Sequence, residues 1–366
     1  MTNTPDSPTN QDRPVGPDTP GSPDMPGTSD IPGISPEMPA PAQPLTVGRD
    51  EHGLRLDRWF RLRYPELTHA HLQKLLRTGQ IRLDSKRVKS NARVEAGQRV
   101  RVPRAIQVAS KPPPSVKPPP GLSKADRTFI ERMILFEDDA VVVLNKPLGL
   151  AVQGGTGTRR HLDGLLAGMA DRFGGKRPRL VHRLDRDTTG VLLVAKTRDA
   201  ASKLGQMFSS RSASKTYWAL VKGVPRPAQG KVEAALVKAS GPEGDRIRKS
   251  EPGEQDRAMH AATHYAVIET VAQKAAWMSL KPVTGRQHQL RAHMDILGHP
   301  IIGDNKYPSD PIFADGEIDD ALHLHARRLV IPHPTLKTKI DITAPLPEHM
   351  RRTWKTLGLD PDRYEP

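Results

Sequence analysis

Apolar and polar positions change their period several times along this chain, and each change marks an element. Leu56, Trp59, Phe60 and Leu62 recur at near-helical spacing, and Leu72, Leu75 and Leu76 form a second helical stripe that ends at Gly79. Ile81 and Leu83 then alternate with polar residues up to a turn at Asp84-Ser85-Lys86, and Val94, Val100 and Val102 continue a strand pattern. Two short helices and a small sheet are predicted there. From about Thr128 to Pro347, strand and helix patterns alternate without an internal repeat. Strands are predicted over 134–136, 141–144, 191–195, 217–221, 263–268, 277–280 and 322–331, and helices over 163–173, 199–208 and 286–297. The polar, glycine-containing segment 241–256 reads as a surface loop. The implied fold class is α+β, with a small N-terminal domain linked to a larger mixed-sheet domain.

Composition sets the boundaries. The first 44 residues hold twelve prolines and no aromatic residue, too little apolar surface to offset chain entropy, so 1–47 is expected to be a disordered tail. Residues 48–105 form the small domain and 106–127 a linker, whose two triple-proline runs favour extended polyproline II. The large domain is 128–366. Charge then changes the picture. The chain carries a formal +15, and between Leu54 and Arg104 fourteen Lys or Arg face only four Asp or Glu. Such a density of like charge repels itself unless phosphates answer it, so a nucleic acid is the expected partner. The bland alternative is a solvated basic face. There is no cysteine, which excludes disulfides, iron–sulfur clusters, thiolate zinc sites and cysteine nucleophiles. No apolar run approaches the ~20 residues that span a bilayer, so no membrane association is expected. The first residues lack a basic region followed by an apolar one, and they are acidic where a transit peptide would be arginine-rich. A cytoplasmic monomer is the expectation.

Three stretches carry candidate chemistry. "VHRLDRDTTG", Val181 to Gly190, sets Asp185 between two arginines in a short turn before the apolar run Val191 to Val194. Asp185 is placed to project into a cleft; read alone, it is equally an ordinary turn Asp paired with Arg183 or Arg186. "KPVTGRQHQLRAHM" leads into a helix on which Leu290, Met294 and Leu297 share a face, with Arg291 beside that stripe. A buried arginine needs a carboxylate, and Asp185 is the candidate partner. "SASKTYWALVKG" runs into a strand with Tyr217 on one face and Trp218 on the other. A strand tyrosine usually packs, but one facing a cleft can stack on a nucleobase.

Residues 54–104, with "HLQKLLRTGQI" and the closing "AGQRVRV", resemble the S4 RNA-binding domain, departing at Ser85, where glycine is usual in the turn. The resemblance implies RNA contacts from Arg58, Lys74, Arg77, Arg82, Lys86 and Arg87. The three chemistry-bearing stretches, with "EDDAVVVLNKPLGLAVQGG", "LGHPIIGD" and "LHLHARRLVIPHP", resemble the RluA family of pseudouridine synthases over residues 130–347. "LNKP", "QGGTG" and the S4-like unit point to its C-type branch, which modifies large-subunit ribosomal RNA. Thr189 stands where serine is usual. What the resemblance implies is an isomerase that detaches uracil at N1, turns it and rejoins it through C5. Asp185 is then the catalytic carboxylate, Arg291 its partner, Tyr217 the aromatic that packs on the base and helps remove the C5 proton, and Arg183 the residue that flips the nucleotide out. No cofactor and no metal are implied. His288, His293, His299, His323 and His325 lack a ligand spacing with accompanying carboxylates, and "QGGTGTRR" lacks the Gly-Lys-Ser/Thr ending of a phosphate loop. The competing reading is a catalytically silent S4-containing RNA-binding or ribosome-assembly protein.

Overall fold

The computed structural model describes residues 44–48, 51–109, 122–154, 158, 160–239, 246–308, 310–314 and 316–366. Nearly all of the expected tail, half of the linker and the first part of the 241–256 loop lie outside the described residues. The chain divides into two compact units, Met1–Ser110 and Lys111–Pro366.

In the first unit, strand β1 (Leu45–Thr46) precedes helices α1 (Leu56–Arg63) and α2 (His69–Arg77), strands β2 (Arg82–Leu83) and β3 (Arg99–Arg101), and helix α3 (Arg104–Ala109). The strands form a sheet of order β1-β3-β2. Leu56, Trp59 and Phe60 of α1 and Leu72, Leu75 and Leu76 of α2 pack with Ile81, Val94 and Val100 into one core, which is why both helices keep their apolar stripes. Thr68 caps α2 by accepting from the His71 amide at 3.3 Å. The two-residue turn between Leu83 and Lys86 has Asp84 and Ser85 both left-handed, at φ 46° and 65°, closed by reciprocal backbone bonds of 3.1 and 2.9 Å. The turn therefore forms without the glycine, at the cost of a strained Ser85.

The second unit opens with α4 (Lys124–Met133), β4 (Ile134–Glu137), β5 (Val141–Lys146), α5 (Leu162–Ala167), β6 (Arg179–Leu180), β7 (Thr189–Ala195), α6 (Arg198–Ser209) and β8 (Ser214–Lys222). It continues with β9 (Gln229–Ala239), β10 (Arg246–Lys249), β11 (Met259–Val271), β12 (Ala275–Pro282), α7 (Gln289–Ile296), β13 (Leu324–Pro332), β14 (Lys339–Thr343) and α8 (Glu348–Thr356). Among the described residues eleven strands make one mixed sheet, ordered β10-β9-β11-β12-β8-β13-β7-β5-β4, with β14 beside β13 and β6 beside β7. Pairing is antiparallel except between β13 and β7, which run parallel. β7 is buried along its whole length, as a continuous apolar run covered on both faces must be, while β13 is half-buried at Arg327, Arg328 and Val330. On one side Trp218, Trp277 and Trp354 meet edge to face at 4.6 and 5.5 Å.

Three expectations are corrected. The 241–256 segment contains strand β10, which pairs with β9; its single apolar residue, Ile247, is buried and gives too short a pattern to read. The helix expected from 286 begins at Gln289, because His288 is held left-handed at φ 48°. The helix expected over 163–173 stops at Ala167, and at Gly168 an added Cβ would stand 2.6 Å from Leu122.

Candidate active site

The parallel junction of β7 and β13 fixes the turn that carries Asp185. Gly190 lies at φ 106°, and a Cβ on it would stand 2.2 Å from the Ala326 carbonyl oxygen, so only glycine lets the two backbones approach. Next to it, the buried Thr189 hydroxyl meets His325 Nδ1 at 2.8 Å, using the oxygen that serine would also offer. On the other side of the turn sits Lys146, the lysine of "LNKP", which is 0% exposed. Its Nζ donates to the carbonyls of Pro147 and Leu150 at 2.9 Å and of Arg186 at 2.8 Å, tying the end of β5 to the Asp185 turn. Burial pushes this ammonium down to about 7 against the pull of Asp187 and Asp185. His182 braces the turn from within: its Nε2 accepts from the Leu193 amide at 2.8 Å and its ring stacks on Phe208 at 4.6 Å. Burial, then nearby Lys215, push it down to about 3, so it stays neutral.

These anchors leave Asp185 on the wall of a cavity of about 580 Å³. The Val181–Thr188 turn, the end of α6, the start of β8 and the Pro282–Arg291 segment line it. Asp185 is half-buried and is the one carboxylate among the described lining residues. None of the described residues donates a hydrogen bond to its carboxylate. Tyr217 reaches the cavity from β8, half-buried, and burial first and Asp185 second push its phenol far up, so it stays protonated. Arg183 lines the same cavity and is exposed.

Arg291 also reaches this wall, but its partner differs from the expectation. Its Nε and Nη2 donate to the two oxygens of Asp304 at 2.7 and 2.5 Å, a bidentate pair with side chains 3% and 0% exposed. Burial works against the guanidinium charge, but Asp304 outweighs it, with Asp185 adding as a second neighbouring carboxylate. Asp304 lies inside "LGHPIIGD", where the sequence signal is only an acidic residue closing an apolar stretch. Asp304 is itself oriented by the amides of Lys306 and Tyr307 at 2.9 and 3.1 Å. Gln289 holds the start of α7: its Oε1 accepts from Thr284 and the Arg286 amide, and its Nε2 donates to Ala262 and Thr263, all within 3.0 Å. All four hydrogen-bonding positions of that amide are filled.

Four of the five histidines go to separate bonds rather than one centre, His293 to Thr263, His299 to the Lys222 carbonyl, His323 to Thr353 and His325 to Thr189, and the buried His288 Nδ1 has no hydrogen-bond partner among the described residues. Among the described residues no group of three His, Asp or Glu could hold a metal ion, and no helix is long and apolar enough to cross a membrane. In the first unit, Arg58, Lys74, Arg77, Lys86 and Arg87 are exposed, and none makes an ion pair with a described residue. Arg82 is half-buried, and its guanidinium donates to the carbonyls of Gly79 and Ser85 at 3.2 and 3.3 Å, which makes it a brace of the turn.

A family model described as RNA pseudouridylate synthase matches residues 140–295, a range that contains Asp185, Tyr217 and Arg291. Ribosomal large subunit pseudouridine synthase C of Rickettsia bellii is 32% identical over 298 residues, covering 81% of this chain and 96% of that one. RNA pseudouridine synthase 4, mitochondrial, of Arabidopsis thaliana is 34% identical over 294 residues, and the match spans 64% of this chain and 62% of that protein's length. The solved structure of Human RNA Pseudouridylate Synthase Domain Containing 4 is similar with a TM-score of 0.53 at 30% identity, over 64% of this chain and 95% of that one.

Proposed function

Because the chain belongs to the RluA-type RNA pseudouridine synthases, we propose that it converts particular uridines of large-subunit (23S) ribosomal RNA to pseudouridine with Asp185 as the catalytic carboxylate. Membership makes it an RNA-modifying isomerase. The observation that carries the finer reading is the uncommitted Asp185 carboxylate, alone of its kind among the described residues on the cavity wall.

Hydrolytic glycosidases use two carboxylates, one of which activates water. Here the base must return to the same sugar, and a single carboxylate beside a buried arginine suits that isomerisation. In this reading Asp185 acts on the ribose, as nucleophile or as proton acceptor, and both routes need it ionised and free of partners. Arg291, locked by Asp304, supplies fixed positive charge near it. Tyr217 packs on the uracil, and its protonated phenol donates a hydrogen bond. Arg183, exposed on the cavity wall, takes the place of the extruded nucleotide; unstacking costs a few kcal/mol, which the inserted guanidinium and the aromatic platform offset. Residues 48–105 serve as an S4 RNA-binding domain through Arg58, Lys74, Arg77, Lys86 and Arg87, 106–127 as linker and 128–366 as the catalytic domain of a cytoplasmic monomer.

The test is an unmodified 23S transcript incubated with wild type and with Asp185→Asn, followed by pseudouridine mapping. Wild type should convert discrete uridines. Asp185→Asn should bind the transcript equally and lose at least about 10³-fold in rate. A variant that keeps its rate removes Asp185 from the chemistry, and a wild type that binds but converts nothing supports the silent binder instead.

A further inference from the structure

The roles above concern the base and the glycosidic bond and leave the phosphates of the entering nucleotide without a partner. Two cations on the cavity wall, Lys215 and Arg211, have no carboxylate or hydrogen-bond partner among the described residues and can take one. Lys215 lies two positions before Tyr217 on β8, so both side chains share a face, about 7 Å apart along the strand. That is close to the separation between a nucleobase and the phosphate of its own nucleotide. Both line the cavity. The Lys215 Nζ lies 3.9 Å from where a Cβ on Gly285 would stand, which puts it against the Thr284–Arg286 loop at the head of α7. It is half-buried, and among the described residues it has neither a carboxylate nor a hydrogen-bond partner. Burial lowers its ammonium. An ammonium withdrawn from water without a partner destabilises the fold unless an anion arrives.

Arg211 is placed by a different device. After α6 ends at Ser209, the Ser212 amide donates to the Met207 carbonyl at 2.9 Å, closing the helix. Arg211 therefore occupies the left-handed position, φ 63°, where glycine is usual. It is exposed, lines the same cavity and has no partner among the described residues. A long cationic side chain kept at a strained position on a cavity wall points to use there.

We propose that Lys215 and Arg211 form a phosphate subsite that grips the phosphodiester attached to the uridine being isomerised, Lys215 setting how deep the nucleotide enters and Arg211 meeting the same backbone from the end of α6. This rests on the reading of the cavity as a uridine site. Uniform grip on a phosphate appears in KM rather than kcat, and each phosphate contact removed flattens the salt dependence.

The experiment follows pseudouridine formation in an unmodified 23S transcript by the full chain, across a potassium chloride series. Lys215→Gln should raise KM by about tenfold with kcat within about threefold, and should flatten the slope of log(kcat/KM) against log salt by about 0.7–1. Lys215→Arg should recover most of the loss. Arg211→Gly relieves the left-handed strain, so it should raise the thermal midpoint while still raising KM. In ligated transcripts carrying a neutral methylphosphonate on the 5′ or the 3′ side of the converted uridine, one of the two should weaken wild type by the factor that Lys215→Gln does. That substrate should weaken Lys215→Gln no further. Unchanged KM and salt slope in Lys215→Gln, a pure kcat loss, or full additivity with both methylphosphonates overturns the subsite while leaving the uridine reading standing. A wild type that converts nothing sinks both.

Discussion

The Arg291–Asp304 pair offers the sharpest test of how this site is held. Asp304→Asn keeps the shape and one carbonyl oxygen, which can still accept from the Lys306 and Tyr307 amides at 2.9 and 3.1 Å. What it removes is the charge opposite a guanidinium that is 3% exposed. Breaking a buried pair from one side costs about 3–5 kcal/mol, because the remaining charge is left uncompensated. Asp185 is a second carboxylate near Arg291, so the loss should fall at the lower end, about 3 kcal/mol. Asp185→Asn alone should cost under about 1 kcal/mol, since that carboxylate has no direct partner among the described residues. Together the two should exceed the sum of the singles by about 1 kcal/mol or more, because each is then the other's reserve. Arg291→Met in the Asp304→Asn background should recover most of the stability by deleting the stranded charge, yet remain inactive. Urea unfolding, read from Trp218, Trp277 and Trp354 in a Trp59→Phe background, gives all four values for the second unit. An Asp304→Asn loss below 1 kcal/mol, or no recovery with Arg291→Met, would refute the idea that Asp304 is the arginine's main counter-charge.

Two further outcomes follow from the anchors of the Asp185 turn. Lys146 is pushed down to about 7 from its ordinary 10.5. An unfolded chain therefore binds more protons than the folded one between those values, and this residue's contribution to stability rises with pH from 7 toward 10.5. Lys146→Met should flatten that rise in urea titrations against pH; parallel wild-type and variant curves would refute it. Gly190→Ala sets a methyl 2.2 Å from the Ala326 carbonyl at φ 106°, so strain and overpacking together should cost about 3 kcal/mol. A thermal midpoint within 2 °C of wild type, read by calorimetry, would show that β13 can yield there.

Which parts of this arrangement were legible in the sequence follows from how local each one is. The α1 and α2 stripes, the β7 run and the Asp185 turn announce themselves within ten residues, by period or by a glycine placed before an apolar strand. Gly190 could be read as a turn residue, but the close approach that requires it comes from β13, which lies over 130 positions later and pairs in parallel. In strand β9, Val232, Ala234 and Leu236 alternate with exposed positions, but one of the three is an alanine, so the contrast is too weak to predict a strand. Asp304 and Arg291 lie thirteen residues apart across an irregular loop, so no period links them. A buried arginine does require a carboxylate, but the one that meets Arg291 closes an apolar stretch thirteen residues on, not the Asp185 motif more than a hundred residues earlier.

That substitution of partners matters for the proposed role of Asp185. Had Asp185 been the bidentate partner of Arg291, both of its oxygens would be occupied and a reaction at ribose would first have to break two charge-assisted bonds, each stronger than a neutral hydrogen bond. With Asp304 taking the guanidinium fork at 2.7 and 2.5 Å, the arginine is fixed before RNA arrives, and Asp185 remains a second carboxylate near it. Preorganised charge of this kind costs no reorganisation at the moment of reaction. The division of labour between the two carboxylates, one buried and bonded, the other half-buried and uncommitted, is therefore what the proposed reaction at the sugar requires of a single aspartate.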